Sequence, residues 1–285
     1  MMDVSSFAFA DGHARLASWY VPCVFVACYL GNSVEVIRTS DNTIVATVSR
    51  TGALGPWGVA FTPDHAYAYV PCVQTADVTE VIRTSDNAIV ATVSHGASHS
   101  PVSAVVTPDG AYVYVAMNYA NTTEVIRTSD NTIVATVSHG ASHNPNIVAV
   151  TPDGAYVYVA CWIGEVTEVI RTSDNTIVKT IAHGASHWPW AIAVAPDGAY
   201  AYVACYAANT TEVIRTSDNT IVATVSHGAS HGLQAVAVTA DSAYVYVACN
   251  AADTTEVIRT SDNTIVATVS HGASHGPQAL AVGPA

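Results

Sequence analysis

The chain has 285 residues, of which half are aliphatic, aromatic or cysteine and only 11% are charged. This composition is too apolar for a disordered chain and is sufficient for a large core. The formal net charge is −13, with nine lysine and arginine residues in total, which excludes the basic surface that nucleic-acid binding requires. No segment approaches the roughly 20 apolar residues of a membrane-spanning helix, so we expect neither nucleic acid nor membrane as a partner.

One unit is repeated along the chain. Each copy contains the octapeptide Glu-Val-Ile-Arg-Thr-Ser-Asp-Asn, which begins at Glu35, Glu80, Glu124, Glu168, Glu212 and Glu256. The first interval is 45 residues and the other four are 44, a period typical of propellers and solenoids. The repeat predicts one domain over residues 1–285. It also accounts for most of the negative charge, because each copy has one Glu, one Arg and usually two Asp.

The predicted elements are short strands separated by turns, beginning with Ser6–Ala10. The following units repeat one order, which in residues 103–138 is a strand at Ser103–Thr107, a turn at Pro108–Gly110, a strand at Tyr112–Ala116, a polar connection at Asn118–Thr122, a strand at Glu124–Thr128, a turn at Ser129–Asn131 and a strand at Ile133–Val137. The last predicted strand is Ala279–Val282. β-Branched and aromatic residues favour strands, and Pro, Asp, Asn and Gly favour the turns. Four strands per unit without helical periodicity predict one propeller blade.

The Tyr-Val-Tyr-Val-Ala strand, the Thr-Pro-Asp-Gly turn and the Thr-Ser-Asp-Asn turn resemble the YVTN-type β-propeller repeat family, from about Pro22 onward. The resemblance implies an all-β propeller. Members of this family include surface-layer proteins and lactonase-like or lyase-like enzymes, so the resemblance does not fix the function.

The number of blades follows from counting strands. The second, third and fourth strands each occur six times, whereas Ser6–Ala10 and Ala279–Val282 bring the first strands to seven. We therefore predict a single closed β-propeller of six four-stranded blades, in which the N- and C-terminal strands close the ring and remove exposed sheet edges. A seventh, degenerate blade built from residues 1–34 is the alternative.

The copies differ mainly in two sets of loops, from the fourth strand to the next first strand and from the second strand to the third. In a propeller these loops share one face around the channel. Four of the five tryptophans are there, with amide side chains in the equivalent positions. Aromatic walls with a few placed polar groups suit a small organic molecule. The residues predicted to bind it are Trp57, Trp162, Trp188, Trp190, Tyr29, Asn118, Tyr119, Asn144, Asn146, Tyr206, Gln234, Asn250 and Gln278. Neutral drift of loops is the competing interpretation.

Ten of the twelve histidines lie in five His-Gly-Ala-Ser-His loops. Their inner members, His99, His143, His187, His231 and His275, could act in acid–base chemistry, bind copper or zinc, or only stabilise the loops. Glu165 is the single Glu at a loop position that is Asn or Asp in the other copies. We predict His143, His187 and Glu165 as catalytic residues and no resident cofactor, with a divalent metal or copper as the alternative. The register Glu and Arg residues are expected to be solvated or paired strand positions.

The leading functional hypothesis is an enzyme of lyase, cyclase, isomerase or lactone hydrolase type. A non-catalytic ligand- or protein-binding propeller and a histidine-ligated metal protein are the alternatives.

The six cysteines do not predict disulfides, because four of them occupy equivalent places in different repeats, too far apart to bridge. Residues 1–10 have no basic start and no long apolar run, unlike a secretory signal. We therefore expect free thiols, a cytoplasmic location and a monomer.

Overall fold

The computed structural model describes residues 23–49, 55–73 and 77–280, which form 23 strands and no helix. The first sheet contains β1 (Cys23–Cys28), β2 (Ser33–Arg38) and β3 (Thr43–Ser49). The second contains β4 (Ala60–Phe61), β5 (Tyr67–Cys72), β6 (Val78–Arg83) and β7 (Ala88–Ser94), and the third contains β8 (Pro101–Val106), β9 (Tyr112–Met117), β10 (Thr122–Arg127) and β11 (Thr132–Ser138).

The fourth sheet contains β12 (Pro145–Val150), β13 (Tyr156–Cys161), β14 (Val166–Arg171) and β15 (Thr176–Ala182), and the fifth contains β16 (Pro189–Val194), β17 (Tyr200–Cys205), β18 (Thr210–Arg215) and β19 (Thr220–Ser226). The sixth contains β20 (Leu233–Val238), β21 (Tyr244–Cys249), β22 (Thr254–Arg259) and β23 (Thr264–Ser270). Neighbouring strands are antiparallel and follow sequence order in every sheet. This is the predicted blade, and six such sheets are consistent with a six-bladed propeller.

The local sequence explains the turns. In the turn after β10, Asn131 has a φ of 56°, and Asp130 Oδ1 accepts a hydrogen bond of 3.2 Å from the Thr132 backbone N–H. Asn tolerates this left-handed conformation better than most residues. In the turn after β8, Gly110 has a φ of 72°, and a Cβ there would lie 3.2 Å from Pro63 Cδ of the preceding blade. The Pro-Asp-Gly turns therefore stack from blade to blade.

The apolar core lies between adjacent sheets. One cluster joins Tyr114 and Val125 of the third sheet to Val157 and Val159 of the fourth, all essentially inaccessible to solvent. Burial raises the pKa of Tyr114 to about 12, so its hydroxyl is protonated and donates a hydrogen bond.

Tyrosine hydroxyls link each blade to the next. They donate to the Asn of the next Thr-Ser-Asp-Asn turn, in the pairs Tyr69–Asn131 (2.7 Å), Tyr114–Asn175 (2.6 Å) and Tyr158–Asn219. Phe25 takes the place of this Tyr in the first blade, and Asn87 Oδ1 is buried without a hydrogen-bond partner in the described part of the chain. Asn263 Oδ1 also has no hydrogen-bond partner among the described residues, although the preceding blade has the equivalent tyrosine, Tyr202.

The two end blades each leave one face uncovered. Val24 and Val26 are 38% and 37% exposed, whereas Val70, the equivalent of Val26 in the second blade, is 0% exposed. In the last blade Val269 is 48% exposed, against 6% for the equivalent Val225.

The prediction of six blades agrees with the six sheets of the described residues, but two details of the strand count do not. Only three strands of the first sheet are described, and Ser6–Ala10 lies outside the described residues. At the other end, Ala279 and Leu280 are not in a strand, and residues 281–285 are not described. The proposed seventh blade from residues 1–34 is wrong over residues 23–34, because β1 pairs with β2 in the first of the six sheets. None of the described residues forms a helix that could cross a membrane.

Candidate functional site

The two sets of variable loops contact each other, as the repeat predicted. Backbone N–H groups after the second strand donate to carbonyls at the end of the preceding loop, as in Asn118 to Ser100 (2.9 Å), Tyr206 to Trp188 (2.9 Å) and Asn250 to Gly232 (3.0 Å). We call this side of the molecule the loop face, and the side with the Pro-Asp-Gly and Thr-Ser-Asp-Asn turns the turn face.

A left-handed residue before each third strand holds the loop face together. Asn121 Oδ1 accepts a hydrogen bond of 2.8 Å from the Asn144 backbone N–H, and Asn209 Oδ1 accepts from His231 and Gly232. Glu165 stands at the equivalent position with a φ of 54°, and its Oε1 accepts from the Ser186 N–H. The predicted catalytic carboxylate thus joins the loop after β13 to the loop after β15.

The outer histidine of the first four loops is buried between two blades. His95 Nε2 lies 2.7 Å from Thr79 Oγ1 of its own blade, and its Nδ1 lies 2.7 Å from Glu124 Oε2 of the next. A carboxylate only accepts, so Nδ1 donates to Glu124, and Nε2 is hydrogen-bonded to the Thr79 hydroxyl. We call this arrangement the Thr–His–Glu latch. It recurs in the sets Thr123/His139/Glu168, Thr167/His183/Glu212 and Thr211/His227/Glu256.

These latches correct the interpretation of the register glutamates. Glu124, Glu168 and Glu212 are 3%, 3% and 2% exposed, so they are buried partners of histidine and not solvated strand positions. The register arginines do match the expectation, because Arg127 and its equivalents pair with an Asp three residues later on the exposed turn face.

The inner histidines share the same glutamates but remain partly open to solvent. Nδ1 lies 3.1 Å from Glu124 Oε1 for His99, 3.2 Å from Glu168 Oε1 for His143 and 2.8 Å from Glu212 Oε1 for His187. The side chain of His187 is 28% exposed. Its Nε2 has no hydrogen-bond partner among the described residues. A buried carboxylate therefore orients an imidazole whose second nitrogen can exchange a proton.

The last two inner histidines are held differently. His231 Nε2 lies 3.5 Å from Glu256 Oε1, and His275 Nδ1 lies 3.1 Å from the carbonyl oxygens of Gly272 and Ala273. The five inner histidines are equivalent in the repeat, but their partners differ in the structure.

Four of the predicted aromatic residues form one cluster. Trp162 packs edge-on against Trp188 and Trp190, with ring centroids 5.9 and 5.6 Å apart. Tyr206 lies nearly parallel to Trp188 at 6.4 Å and tilted against Trp190 at 5.9 Å. We call these four residues the tryptophan cluster. It spans the junction of the fourth and fifth blades, where the sequence predicts the aromatic sector.

The tryptophan cluster is partly accessible and has an unusual backbone. Trp188 is 39% exposed, and its φ is 50°. A positive φ is rare for a bulky side chain. The equivalent residues in other copies include Asn144 and Gly232, which adopt this conformation more readily.

Two other predicted aromatic positions lie apart. Tyr29 and Trp57 form an edge-on pair of their own, with centroids 5.2 Å apart, at the first junction. Tyr119 is 68% exposed and has no ring contact among the described residues. The predicted aromatic residues therefore do not all contact one another.

Three of the predicted amide side chains bind backbone. Asn118 Nδ2 donates to the Pro145 carbonyl (3.2 Å), Asn146 Nδ2 to the Trp190 carbonyl (2.9 Å) and Asn250 Nδ2 to the Gly276 carbonyl (2.9 Å). Each bond reaches a neighbouring loop or first strand, so these side chains position the loops. Gln234 is half-buried and Gln278 is exposed, and neither side-chain amide has a hydrogen-bond partner within the described part of the chain.

Three buried groups have donor atoms suited to a metal, but they use the outer histidines. They are His139/Cys161/Glu168, His183/Cys205/Glu212 and His227/Cys249/Glu256, with ligand atoms within 4.8 Å of one another in each group. Burial raises the pKa of Cys249 to about 11 and that of Cys161 well above its usual range, which disfavours the thiolate that binds metals. In these three groups both ring nitrogens of the outer histidine already have protein partners. The Thr–His–Glu latch therefore explains why these side chains lie together without a metal.

The turn face has clefts of its own between blades. One of about 380 Å³ is lined by Tyr67, Tyr69, Val81, Val90, Thr128, Ser129 and Asn131. Similar clefts lie at neighbouring positions, and their walls are repeated residues, unlike those of the tryptophan cluster.

Sequence reasoning missed the Thr and Glu partners of the outer histidines. The signal was present as constant spacings, with Thr 16 residues before each His and Glu 29 residues after it. A constant spacing in a tandem repeat links every residue to every other, so it does not single out a pair in contact.

Comparison with known proteins supports the fold. No protein-family model and no curated protein sequence matches this chain. The structure is similar to virginiamycin B lyase from Staphylococcus aureus, with a TM-score of 0.82 and 14% identity over 94% of this chain and 87% of that chain. Hydrazine synthase from Kuenenia stuttgartiensis gives a TM-score of 0.77 and 18% identity, covering 90% of this chain and 85% of that one. A functionally unknown protein from Desulfotomaculum acetoxidans DSM 771 gives 0.73 and 20%, covering 92% and 86%. At these identities the likeness shows the fold alone: these neighbours are β-propeller proteins, and some propellers are enzymes.

Proposed function

We propose that the protein binds a small organic molecule at the tryptophan cluster on the loop face. One observation carries this proposal: Trp162, Trp188, Trp190 and Tyr206 converge at a single junction. Outside this cluster, Tyr29 and Trp57 are the only aromatic residues at the equivalent positions of the sequence, and the other copies hold Asn, Ser, Gly, Val or Gln. The scaffold therefore does not need these rings.

The backbone of Trp188 adds a physical reason. A residue held in a sparsely populated conformation costs on the order of 1–3 kcal/mol and tends to occur where function requires it. Gly232 meets the same backbone requirement at the next junction with a φ of 59°. Retaining an exposed Trp in that place favours a role in binding over a role in stability.

The proposal is tested by exchanging each ring for the residue of another copy. Trp162→Asn, Trp188→Asn and Trp190→Val reproduce Asn118, Asn144 and Val102, so the fold should be retained. Ligands found by thermal-shift screening of the native protein should bind these variants at least about tenfold more weakly, as for buried aromatic anchors. Trp57→Val is the matched control, since Trp57 is equivalent to Trp190 but lies at another junction. Equal affinity of all variants, or a screen without ligands, would contradict the proposal.

The neighbouring histidines support acid–base catalysis on the bound molecule. His187 precedes Trp188 directly, and its Nδ1 is held by Glu212 at 2.8 Å, which leaves Nε2 as the atom that accepts or donates a proton. His143 Nδ1 also lies 3.2 Å from Glu168 Oε1, but it accepts the Gly140 backbone N–H at 3.1 Å, so the carboxylate does not hold this ring in the same way. Glu165 lies in the loop of Trp162 and next to that of Trp188 through Ser186. A lyase, cyclase, isomerase or lactone hydrolase reaction would use this chemistry.

Catalysis is tested once a ligand is known. His187→Gln should lower kcat about 10²- to 10⁴-fold with little change in ligand affinity. His99→Gln removes the same Glu-held imidazole from a junction without the tryptophan cluster, so its kcat should remain near the native value.

A non-catalytic binding propeller is the second candidate. It is favoured by the recurrence of the Glu-held histidine at His99 as well as at His187, since a group that recurs without the aromatic rings is explained by loop stability. Binding without chemical change of the ligand, together with full tolerance of His187→Gln, would establish this candidate.

We also propose that the termini complete the ring. Ser6–Ala10 would supply the first strand of the first blade, with residues 279–282 beside it, and this is supported by the three described strands of the first sheet. Deleting residues 1–22 should lower Tm by several degrees, as the loss of about 1 kcal/mol or more would do, whereas an unchanged Tm would contradict closure by this segment.

A reducing cytoplasm remains our proposed location, because all six cysteines are free thiols.

A further inference from the structure

The loop face has an uneven distribution of charge. The described arginines end the third strands on the turn face, where each pairs with an Asp three residues later. Lys179 is exposed in the middle of β15. No described Lys or Arg therefore lies beside the tryptophan cluster.

Carboxylates, in contrast, are close to the cluster. Glu165 Oε1 accepts the Ser186 N–H, which places this carboxylate between the loop of Trp162 and the loop of Trp188. Its Oε2 has no hydrogen-bond or ion-pair partner among the described residues. Glu212 lies behind His187, the residue before Trp188, at 2.8 Å. An anionic ligand would meet the Glu165 carboxylate without a described Lys or Arg side chain to balance it.

Exposed indole faces attract cations. The negative quadrupole of Trp binds a cation within about 6 Å of the ring, most strongly where water is partly excluded. Trp188 is 39% exposed, and Ile163 beside Trp162 is 46% exposed, so the cluster combines open aromatic and apolar surface with a nearby carboxylate.

We infer that the ligand of the tryptophan cluster carries an alkylated ammonium group, which the indole faces and Glu165 would bind together. This inference rests on the proposed function, because it assumes that the cluster is the binding site. It narrows the class of ligand. Ligands that bind through a carboxylate or phosphate are excluded, and a cationic ligand should bind more tightly than a neutral molecule of the same shape.

A matched pair of probes tests the charge alone. Choline and 3,3-dimethyl-1-butanol have the same shape, but only choline carries the positive charge. Titrations followed by tryptophan fluorescence should give choline a roughly fivefold or larger advantage in affinity, as expected from a cation–π contact. Added salt should reduce this advantage because it screens charges that are accessible to solvent.

Variants locate the effect. Glu165→Gln keeps an oxygen that can accept the Ser186 N–H but removes the charge, so it should weaken choline and leave the neutral probe unchanged. Trp188→Asn should weaken both probes, and Trp57→Val should weaken neither. Glu165→Asp serves as a second variant that retains the charge.

Each outcome decides the inference. Equal or tighter binding of the neutral probe, or no binding of either probe, overturns the cationic class. The thermal-shift screen separates this failure from failure of the proposed function. If neutral or anionic ligands bind and depend on Trp162, Trp188 and Trp190, the proposed binding site stands and only the cationic class of ligand is wrong. Choline binding that is unaffected by both Trp188→Asn and Glu165→Gln would also overturn the inference.

Discussion

The residue after the first four His-Gly-Ala-Ser-His loops meets one backbone requirement with very different side chains. Ser100, Asn144, Trp188 and Gly232 all have φ between 50° and 59°. Gly has no Cβ to clash there, and Asn is tolerated, whereas a bulky aromatic side chain is disfavoured. Only the copy that contributes to the tryptophan cluster carries the disfavoured side chain. The conflict between conformation and residue type is therefore local and coincides with the candidate site.

A second single-residue difference affects stability. Phe25 lacks the hydroxyl that Tyr69 and Tyr114 donate to an Asn of the next blade, and Asn87 Oδ1 is buried without a hydrogen-bond partner among the described residues. Phe25→Tyr should satisfy this oxygen and raise the free energy of unfolding by about 1 kcal/mol.

Chemical denaturation measures this change. Tyr114→Phe is the matched opposite, because it removes the hydroxyl from a junction where the bond exists and should destabilise by a similar amount or more. If Phe25→Tyr were neutral or destabilising while Tyr114→Phe cost stability, the hydroxyl would not reach Asn87.

At the scale of elements, the junction between two blades combines an apolar contact with the Thr–His–Glu latch. A buried carboxylate is tolerated only when it is paired and hydrogen-bonded. The outer histidine provides this pairing and also satisfies a buried threonine, so one side chain connects the third strands of two blades. The latch aligns neighbouring blades in a way that the apolar residues, which are similar at every junction, do not.

Removing the outer histidine should be costly only where the glutamate is present. His139→Gln leaves Glu168 without its closest partner and should destabilise by about 3–5 kcal/mol, the usual cost of breaking a buried pair. His271→Gln is the control, because His271 is exposed and bonds Thr255 but no carboxylate in the described residues. Similar losses for both variants in denaturant unfolding would contradict a role for the carboxylate.

The latch also predicts a pH dependence. Burial lowers the pKa of His227, an effect only partly opposed by Glu256. The unfolded state therefore binds a proton near its usual pKa of about 6.5, before the folded state does. The stability of this junction should be fully present above about pH 6.5 and lost as the pH falls through the lower folded pKa.

Unfolding free energies between pH 8 and pH 5 test this sign. Replacing the pair together, as His227→Gln with Glu256→Gln, keeps hydrogen-bonding groups but removes both charges, and it should reduce the slope. A stability that rises as the pH falls through this range, or an unchanged slope in the double variant, would show that another group dominates.

At the scale of the whole molecule, the six blades form a series in which the ends differ from the middle. Central blades have both faces covered, whereas Val24 and Val26 at one end and Val269 at the other remain exposed. Fewer buried contacts permit local opening at lower free energy than global unfolding.

Hydrogen exchange tests whether the termini cover these end faces. If residues 1–22 complete the ring as proposed, amides of β1 and β23 should be protected about as well as their equivalents in β13 and β15. Much faster exchange of β1 and β23 would contradict closure and indicate end blades that open locally.

Much of the fold could be predicted from the sequence because the repeat supplies six observations of the same unit. The four strands of the third blade differ from prediction by at most two residues at any end, as in Thr122–Arg127 against Glu124–Thr128. Pro, Gly, Asp and Asn fix turns through local geometry, and local geometry is what a single sequence encodes. The location of the aromatic sector was predictable for the same reason, because a known blade topology assigns each loop to a face.

What the sequence by itself determined is thus the blade, the period and the face on which the copies differ. Only the tertiary structure decided which residues meet across a junction. It shows that Glu168 and Glu212 are buried between histidines, that Asn118 and Asn146 bind backbone, and that Trp57 lies apart from the tryptophan cluster. The physical reason is that these contacts join residues of different blades. Their distances depend on how whole sheets pack, and a period along the chain does not contain that information.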